Sequence, residues 1–234
     1  MRNPIIVALD VPDVDDAVRL ARDVAPHVGA FKVGKELFVG AGPDFVRRLR
    51  GTGAAVFLDL KFHDIPNTVA KAVAAATRLD VQMLTVHAGG GSAMLRAAEA
   101  SAVETAASMG CPAPLVLGVT VLTSLDDAAL AEVGVRNGTA DQVELLARLA
   151  AGAGLRGLVC SPLELGRLRA ILPASVQLVT PGIRTGAEKA DDQKRTLSPR
   201  EAMAAGATWL VVGRPIYAAD DPAGAARRIL ESIA

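Results

Sequence analysis

Apolar residues in this chain gather into short unbroken runs, separated by longer segments in which they recur every three or four positions. The runs bounded by turn residues are Ile5 to Leu9, Ala30 to Val33, Ala55 to Leu58, Met83 to His87, Leu115 to Val119, Gly157 to Cys160, Gln177 to Thr180 and Trp209 to Val212. Each predicts a strand, because a run of this length that does not alternate suits burial on both faces of a parallel sheet. The intervening segments predict helices over Asp13 to Ala25, Pro43 to Arg50, Thr68 to Arg78, Ser92 to Ser108, Thr139 to Ala151, Leu163 to Ile171, Ser198 to Ala205 and Pro222 to Ile233.

Strand and helix therefore alternate from end to end, and eight such units in 234 residues predict an α/β fold, a single (β/α)8 TIM barrel. The rival is an open doubly wound sheet, which typically carries a glycine fingerprint after its first strand. Here that position reads Leu9-Asp10-Val11-Pro12-Asp13, and the triplet Gly89-Gly90-Gly91 is too short for the fingerprint. The triplet instead predicts a tight turn with Ser92 capping the next helix. No linker or low-complexity segment divides the chain, so one domain, residues 1–234, is expected.

Composition narrows the class. Apolar residues make up 51% and charged residues 21%, and the formal net charge is zero, which offers no nucleic-acid surface and no disordered tail. The apolar runs are strand-sized and predict neither a signal peptide nor a membrane span. Cys111 and Cys160 lie far apart without a Cys-x-x-Cys pattern, which predicts reduced, buried thiols and a cytoplasmic protein, a disulfide between them being the alternative. His27, His63 and His87 lack metal-ligand spacing.

Charge interrupts this pattern where the third run ends, in Asp59-Leu60-Lys61-Phe62-His63-Asp64-Ile65-Pro66-Asn67-Thr68. Alternation along a strand points Asp59 and Lys61 the same way, with Asp64 just beyond, so that two carboxylates would flank one ammonium. Ile6 and Ala8 share a face with Asp10, and Ala55 and Phe57 with Asp59, which makes the charged residues the mouth of an apolar barrel interior. Lys32 joins them from the second strand. Such a cluster is either a salt-bridge network closing the rim or an electrostatic acid/base site. Two acids and two bases converging from three neighbouring strands are costly to desolvate unless mutually arranged, which favours the site.

A second signal concerns phosphate. Barrels of this kind commonly bind it with the loops after strands seven and eight. There the chain reads Val211-Val212-Gly213-Arg214-Pro215-Ile216, in which a glycine admits an anion to backbone N–H groups and Arg214 offers a forked guanidinium. The seventh loop adds Gly182, Arg184 and Gln193 within a long polar connection, Pro181 to Leu197, that is expected to be an active-site lid, the alternative being a floppy excursion. His63 and His87 near the mouth admit either an acid/base or a structural role. Thr123, after the fifth strand, either presents a hydroxyl to a ligand or caps the chain locally.

These residues together closely resemble the bacterial-type orotidine 5'-phosphate decarboxylase family. The resemblance rests on Asp59 to Thr68, on Pro181-Gly182-Ile183-Arg184 with Gln193, and on Val211 to Ile216, and it spans nearly the whole chain. The Asp-x-Lys-x-x-Asp core alone is shared with related phosphosugar-binding barrels, the 3-keto-L-gulonate 6-phosphate decarboxylases and hexulose phosphate synthases. The extension Ile65-Pro66-Asn67-Thr68 and the two phosphate-side segments are more specific.

The resemblance implies a ribulose-phosphate-binding type of barrel. It also implies loss of CO2 from orotidine 5'-phosphate to give uridine 5'-phosphate, the last step of pyrimidine nucleotide synthesis from scratch, with no cofactor and no metal. By the same resemblance Lys61 is the proton donor, Asp59 lies against the substrate carboxylate, and Lys32 belongs to the charged catalytic set. Asp10 and Lys32 match ribose-side residues, Thr123 a contact to the base, and Arg184, Gln193, Gly213 and Arg214 the phosphate side. Asp64, Ile65 and Thr68 match residues contributed by the neighbouring subunit of a homodimer with shared sites. Two other readings stand beside it: a metal-dependent decarboxylase or aldolase of the same barrel group, and a silent barrel that binds a phosphorylated ligand.

Overall fold

A computed structural model of the chain describes residues 3–185 and 196–233. Eight strands, β1 (Ile5–Ala8), β2 (Ala30–Val33), β3 (Val56–Phe62), β4 (Met83–His87), β5 (Leu115–Val119), β6 (Gly157–Val159), β7 (Gln177–Thr180) and β8 (Trp209–Val212), close in sequence order into a barrel. Every neighbouring pair is parallel, including β1 with β8. This is the expected (β/α)8 architecture.

The helices are α1 (Val14–Val24), α2 (Lys35–Arg50), α3 (Pro66–Thr77), α4 (Gly91–Met109), α5 (Asp127–Glu132), α6 (Thr139–Gly152), α7 (Leu165–Ile171), α8 (Pro199–Ala204), α9 (Arg214–Tyr217) and α10 (Pro222–Ser232). Their starts are chemically marked. Asp13 accepts hydrogen bonds from the Asp15 and Asp16 amides at the head of α1, and Ser198 and Glu201 cap α8 reciprocally.

Besides the short helices α5 and α9, which the sequence pattern did not predict, three differences from the sequence expectation stand out. α2 begins at Lys35 rather than Pro43, and Gly40, Gly42 and Pro43 break the helical period that would have revealed its first half. The chain kinks at Gly42, whose φ of 69° suits a residue without a side chain. Ser92 does not cap α4. Gly90 occupies that position, and the Ser92 hydroxyl accepts from Arg96. β3 continues past Leu58 to Phe62, carrying charge within the strand.

Strand alternation sorts the core into two layers. Ile6, Ala8, Ala30, Phe57, Met83, Leu115, Leu117, Val179, Trp209 and Val211 fill the barrel. Ile5, Val7, Phe31, Val56, Leu58, Leu84, Val86 and Leu210 face outward beneath the helices. The inward placement expected for Ile6, Ala8 and Phe57 holds. Trp209 keeps its indole N–H satisfied by donating to Gln177 Oε1 at 2.7 Å. Cys160 is buried and Cys111 only half-buried, short of the burial expected for both; each is free. Burial, and then the charge of Glu164, push the Cys160 thiol's pKa up, so it stays an inert core group. Among the described residues no helix is long and apolar enough to cross a membrane.

Candidate active site

β3 supplies the centre of the site, and it does so by leaving register with its neighbour. Phe57 and Leu58 pair with Met83 and Leu84, but the next pairing is Phe62 with Val86, so four residue steps on β3 match two on β4. Asp59-Leu60-Lys61 thus stand against Thr85 alone, a surplus of two residues. Lys61 adopts φ 54°, a left-handed conformation that a residue with a side chain holds at a cost of order 1–3 kcal/mol. Its amide, displaced from the ladder, donates to Thr85 Oγ1 at 2.9 Å.

The displacement brings Lys61 Nζ back over Asp59, where it donates to both carboxylate oxygens at 2.8 and 2.9 Å. Both side chains are largely shielded, 22% and 14% exposed. A second pair lies beside the first: Lys32 Nζ donates to Asp10 Oδ1 at 2.9 Å, with the lysine the more enclosed partner. Lys32 points into the mouth because Ala30, two residues earlier, points into the barrel. Gly34, next on that side, leaves the room Lys32 needs. A Cβ there would lie 3.1 Å from Lys32 Nζ and 3.4 Å from Asp10 Oδ1.

Two adjoining cavities share the Lys32–Asp10 pair. One, of about 290 Å³, is lined by Asp59, Lys61, Gly34, Lys35 and Leu122 among others. The other, of about 370 Å³, is bounded by Ala8, Gly182, Arg184, Gly213, Arg214 and Tyr217. One chamber thus carries a shielded ammonium against a carboxylate, and the other two guanidinium groups and two glycines, with Lys32 and Asp10 between. That is a layout for a molecule with a reacting group at one end and an anion at the other.

The second chamber is shaped by turns that open its backbone. Gly182 has φ 78°, and beyond it Ile183 bridges Leu197. The Arg184 amide donates to Leu197 O at 3.0 Å, which ties the two described ends of the connection together. The lid expected within Pro181 to Leu197, and Gln193 with it, fall mainly outside the described residues. Gly213 caps the short helix α9 and places Arg214 at its first position.

The sequence-predicted set divides cleanly. Asp10, Lys32, Asp59, Lys61, Arg184, Gly213 and Arg214 line the two chambers. Asp64, Ile65 and Thr68 do not: they form an exposed stretch at the head of α3, with Ile65 66% exposed. Asp64 accepts from the Ile65 amide at 2.6 Å, so the expected flanking of one ammonium by two carboxylates does not occur within a single chain. Thr123 sits half-buried in the turn after β5, next to the lining residue Leu122.

His63 and His87 stack with ring centroids 5.4 Å apart and planes tilted by 44°. Burial holds the His87 pKa below its ordinary value, reinforced by the charges of His63, Lys61 and Lys35 and opposed by Asp59. Its surroundings thus favour the neutral form of His87. Among the described residues no group of three or more His, Cys, Asp or Glu is placed to hold a metal ion. Sequence reading passed over Gly34, Lys35, Thr85 and Tyr217. Of these Thr85 carried a signal, being a polar residue on the inward face of an apolar strand, two positions after Met83.

The family model for the orotidine 5'-phosphate decarboxylase / HUMPS family matches residues 3–229. Orotidine 5'-phosphate decarboxylase of Moorella thermoacetica is 50% identical, covering 99% of this chain and 92% of its own. That of Syntrophotalea carbinolica is 52% identical over 100% and 96%. Among solved structures, the crystal structure of orotidine 5'-phosphate decarboxylase from Lactobacillus acidophilus superposes with a TM-score of 0.87 at 38% identity, covering 99% of both chains.

Proposed function

The chain belongs to the orotidine 5'-phosphate decarboxylase / HUMPS family and is a carboxy-lyase, and we propose that it converts orotidine 5'-phosphate to uridine 5'-phosphate and CO2 in pyrimidine biosynthesis without a cofactor. The observation that carries this reading is the shielded Lys61 ammonium, bonded to both oxygens of Asp59 at one end of a double chamber whose other end holds Arg184 and Arg214.

In this reading the phosphate lies among Gly182, Arg184, Gly213 and Arg214, and the ribose hydroxyls reach Lys32 and Asp10. The base lies toward Lys61, with Thr123 at its far edge. The bond between C6 and the carboxylate breaks, CO2 leaves, and the electron pair stays on C6 in an in-plane orbital that the ring cannot delocalise. Lys61 Nζ stabilises that charge and then transfers a proton to C6, after which solvent reprotonates the amine. Asp59 holds the ammonium charged and aimed.

The magnitudes show why one lysine is insufficient. A unit charge pair at about 4 Å is worth roughly 4 kcal/mol at an effective dielectric of 20, against the roughly 8–23 kcal/mol that enzymes supply. The remainder is assigned to phosphate binding that is realised in the transition state and to the second charge pair, Lys32–Asp10.

The same reading makes the active unit a homodimer. Asp64, Ile65 and Thr68 are exposed, lie outside both chambers of their own chain, and are assigned to the partner's site. The chain acts as one catalytic domain, residues 1–234, and its two free thiols accord with a cytoplasmic home.

The test is to follow orotidine 5'-phosphate by ultraviolet absorbance with purified protein, no added metal and excess chelator. Full turnover is the expected result. Activity lost on chelation and restored by a divalent cation would instead assign the chain to metal-dependent chemistry.

A further inference from the structure

We propose that Thr85 is a positioning residue for the reaction, a single hydroxyl that locks the Lys61 backbone and the Asp59 carboxylate into one unit. This inference rests on the decarboxylase reading and deepens it.

The geometry is specific. Thr85 Oγ1 accepts from the Lys61 amide at 2.9 Å and lies 3.0 Å from Asp59 Oδ1. A hydroxyl has one hydrogen to give, and with the Lys61 N–H already donating to it, that hydrogen goes to Asp59. The same carboxylate oxygen also accepts from Lys61 Nζ at 2.8 Å. Thr85 Oγ1, the Lys61 amide, the Lys61 ammonium and Asp59 thus form a closed ring of contacts.

Its location explains the need. Thr85 stands on β4 between the register positions Leu84 and Val86, opposite the surplus residues of β3. Lys61 has left the ladder there and holds φ 54°, so its amide needs a side-chain acceptor to remain satisfied. Thr85 is 0% exposed, so its hydroxyl is met by protein atoms and not by bulk solvent. Neither Leu84 nor Val86 could serve, because hydrocarbon side chains carry no acceptor and both face the outer layer. Without the hydroxyl, Asp59 keeps its ion pair but loses its anchor to the barrel, and Lys61 loses the contact that sets where its side chain begins.

A displacement of the reacting ammonium by about 1 Å is enough to cost on the order of a hundredfold in rate. Thr85→Val, which keeps the shape and removes the hydroxyl, is therefore expected to lower kcat about a hundredfold. KM for orotidine 5'-phosphate and the Kd for uridine 5'-phosphate should stay within about twofold, since the phosphate chamber is untouched. Thr85→Ser, which keeps the hydroxyl, is expected to retain kcat within about fivefold. Thr85→Ala gives the same reading if Val packs poorly.

Wild-type protein run beside the variants separates the two claims. No turnover by wild type overturns the function and the role together. Wild-type turnover with undiminished kcat in Thr85→Val overturns the role alone, as do KM and Kd rising in step with a falling kcat, or Val and Ala variants that both fail to fold.

Discussion

Lys61 Nζ donates to both oxygens of Asp59, at 2.8 and 2.9 Å, from a residue whose backbone is left-handed. The ion pair and the unusual backbone are one feature, because the register break in β3 supplies the slack that folds Lys61 back over Asp59. Several outcomes are expected from this and neighbouring contacts.

Lys61→Ala removes the charge beside the developing carbanion. From roughly 4 kcal/mol for such a charge, kcat is expected to fall at least about a thousandfold. Circular dichroism should show a folded barrel, since Lys61 belongs to neither core layer. Undiminished turnover would remove Lys61 from the chemistry.

Gly34→Ala introduces a methyl 3.1 Å from Lys32 Nζ, and the flexible end of that side chain gives way first. The backbone at Gly34 is extended, with φ −87°, so alanine is tolerated locally. KM is expected to rise several-fold, roughly the 1 kcal/mol of a disturbed, partly exposed ion pair, with the melting temperature nearly unchanged. Parallel kinetics and thermal melts check both halves.

His87 has a folded pKa held below its ordinary 6.5 by burial first, and then by His63, Lys61 and Lys35. As pH falls below 6.5, the unfolded chain takes up a proton here that the folded chain resists. Stability is therefore present above that pH and is lost as pH drops toward and through the folded value. Between about pH 7.5 and pH 5 the wild-type urea midpoint is expected to fall further than that of His87→Gln. Equal slopes for the two proteins would contradict the assignment.

Asp64, Ile65 and Thr68 lie outside the chambers of their own chain, and the proposed dimer gives them a place. Lys61→Ala and Asp64→Asn are each expected to be inactive alone. After subunit exchange, one site in each mixed dimer regains both groups, which restores about a quarter of wild-type activity in an equal mixture. No recovery despite exchange demonstrated by mass spectrometry would count against shared sites.

How far the site was legible differs residue by residue. Asp10, Lys32 and Asp59 could be read because each follows inward-facing apolar positions on a short strand, and alternation carries the direction forward, whereas Lys61 could be read only as the charged neighbour of Asp59. Arg184, Gly213 and Arg214 were readable from their place after strands seven and eight. The first half of α2 was not, because Gly40, Gly42 and Pro43 break its helical period, and with it went Gly34 and Lys35 at the cavity wall.

By itself the sequence determined the eight-fold alternation, which face of each strand fills the barrel, and which charges reach its mouth. These follow from local periodicity and the two-residue repeat of a strand. Tertiary structure alone decided the slip of β3 against β4, the left-handed Lys61, the Thr85 hydroxyl that answers it, and the separation of Asp64 from Lys61 within one chain. Register is a relation between strands that no single strand encodes, and in this protein the central ion pair depends on it.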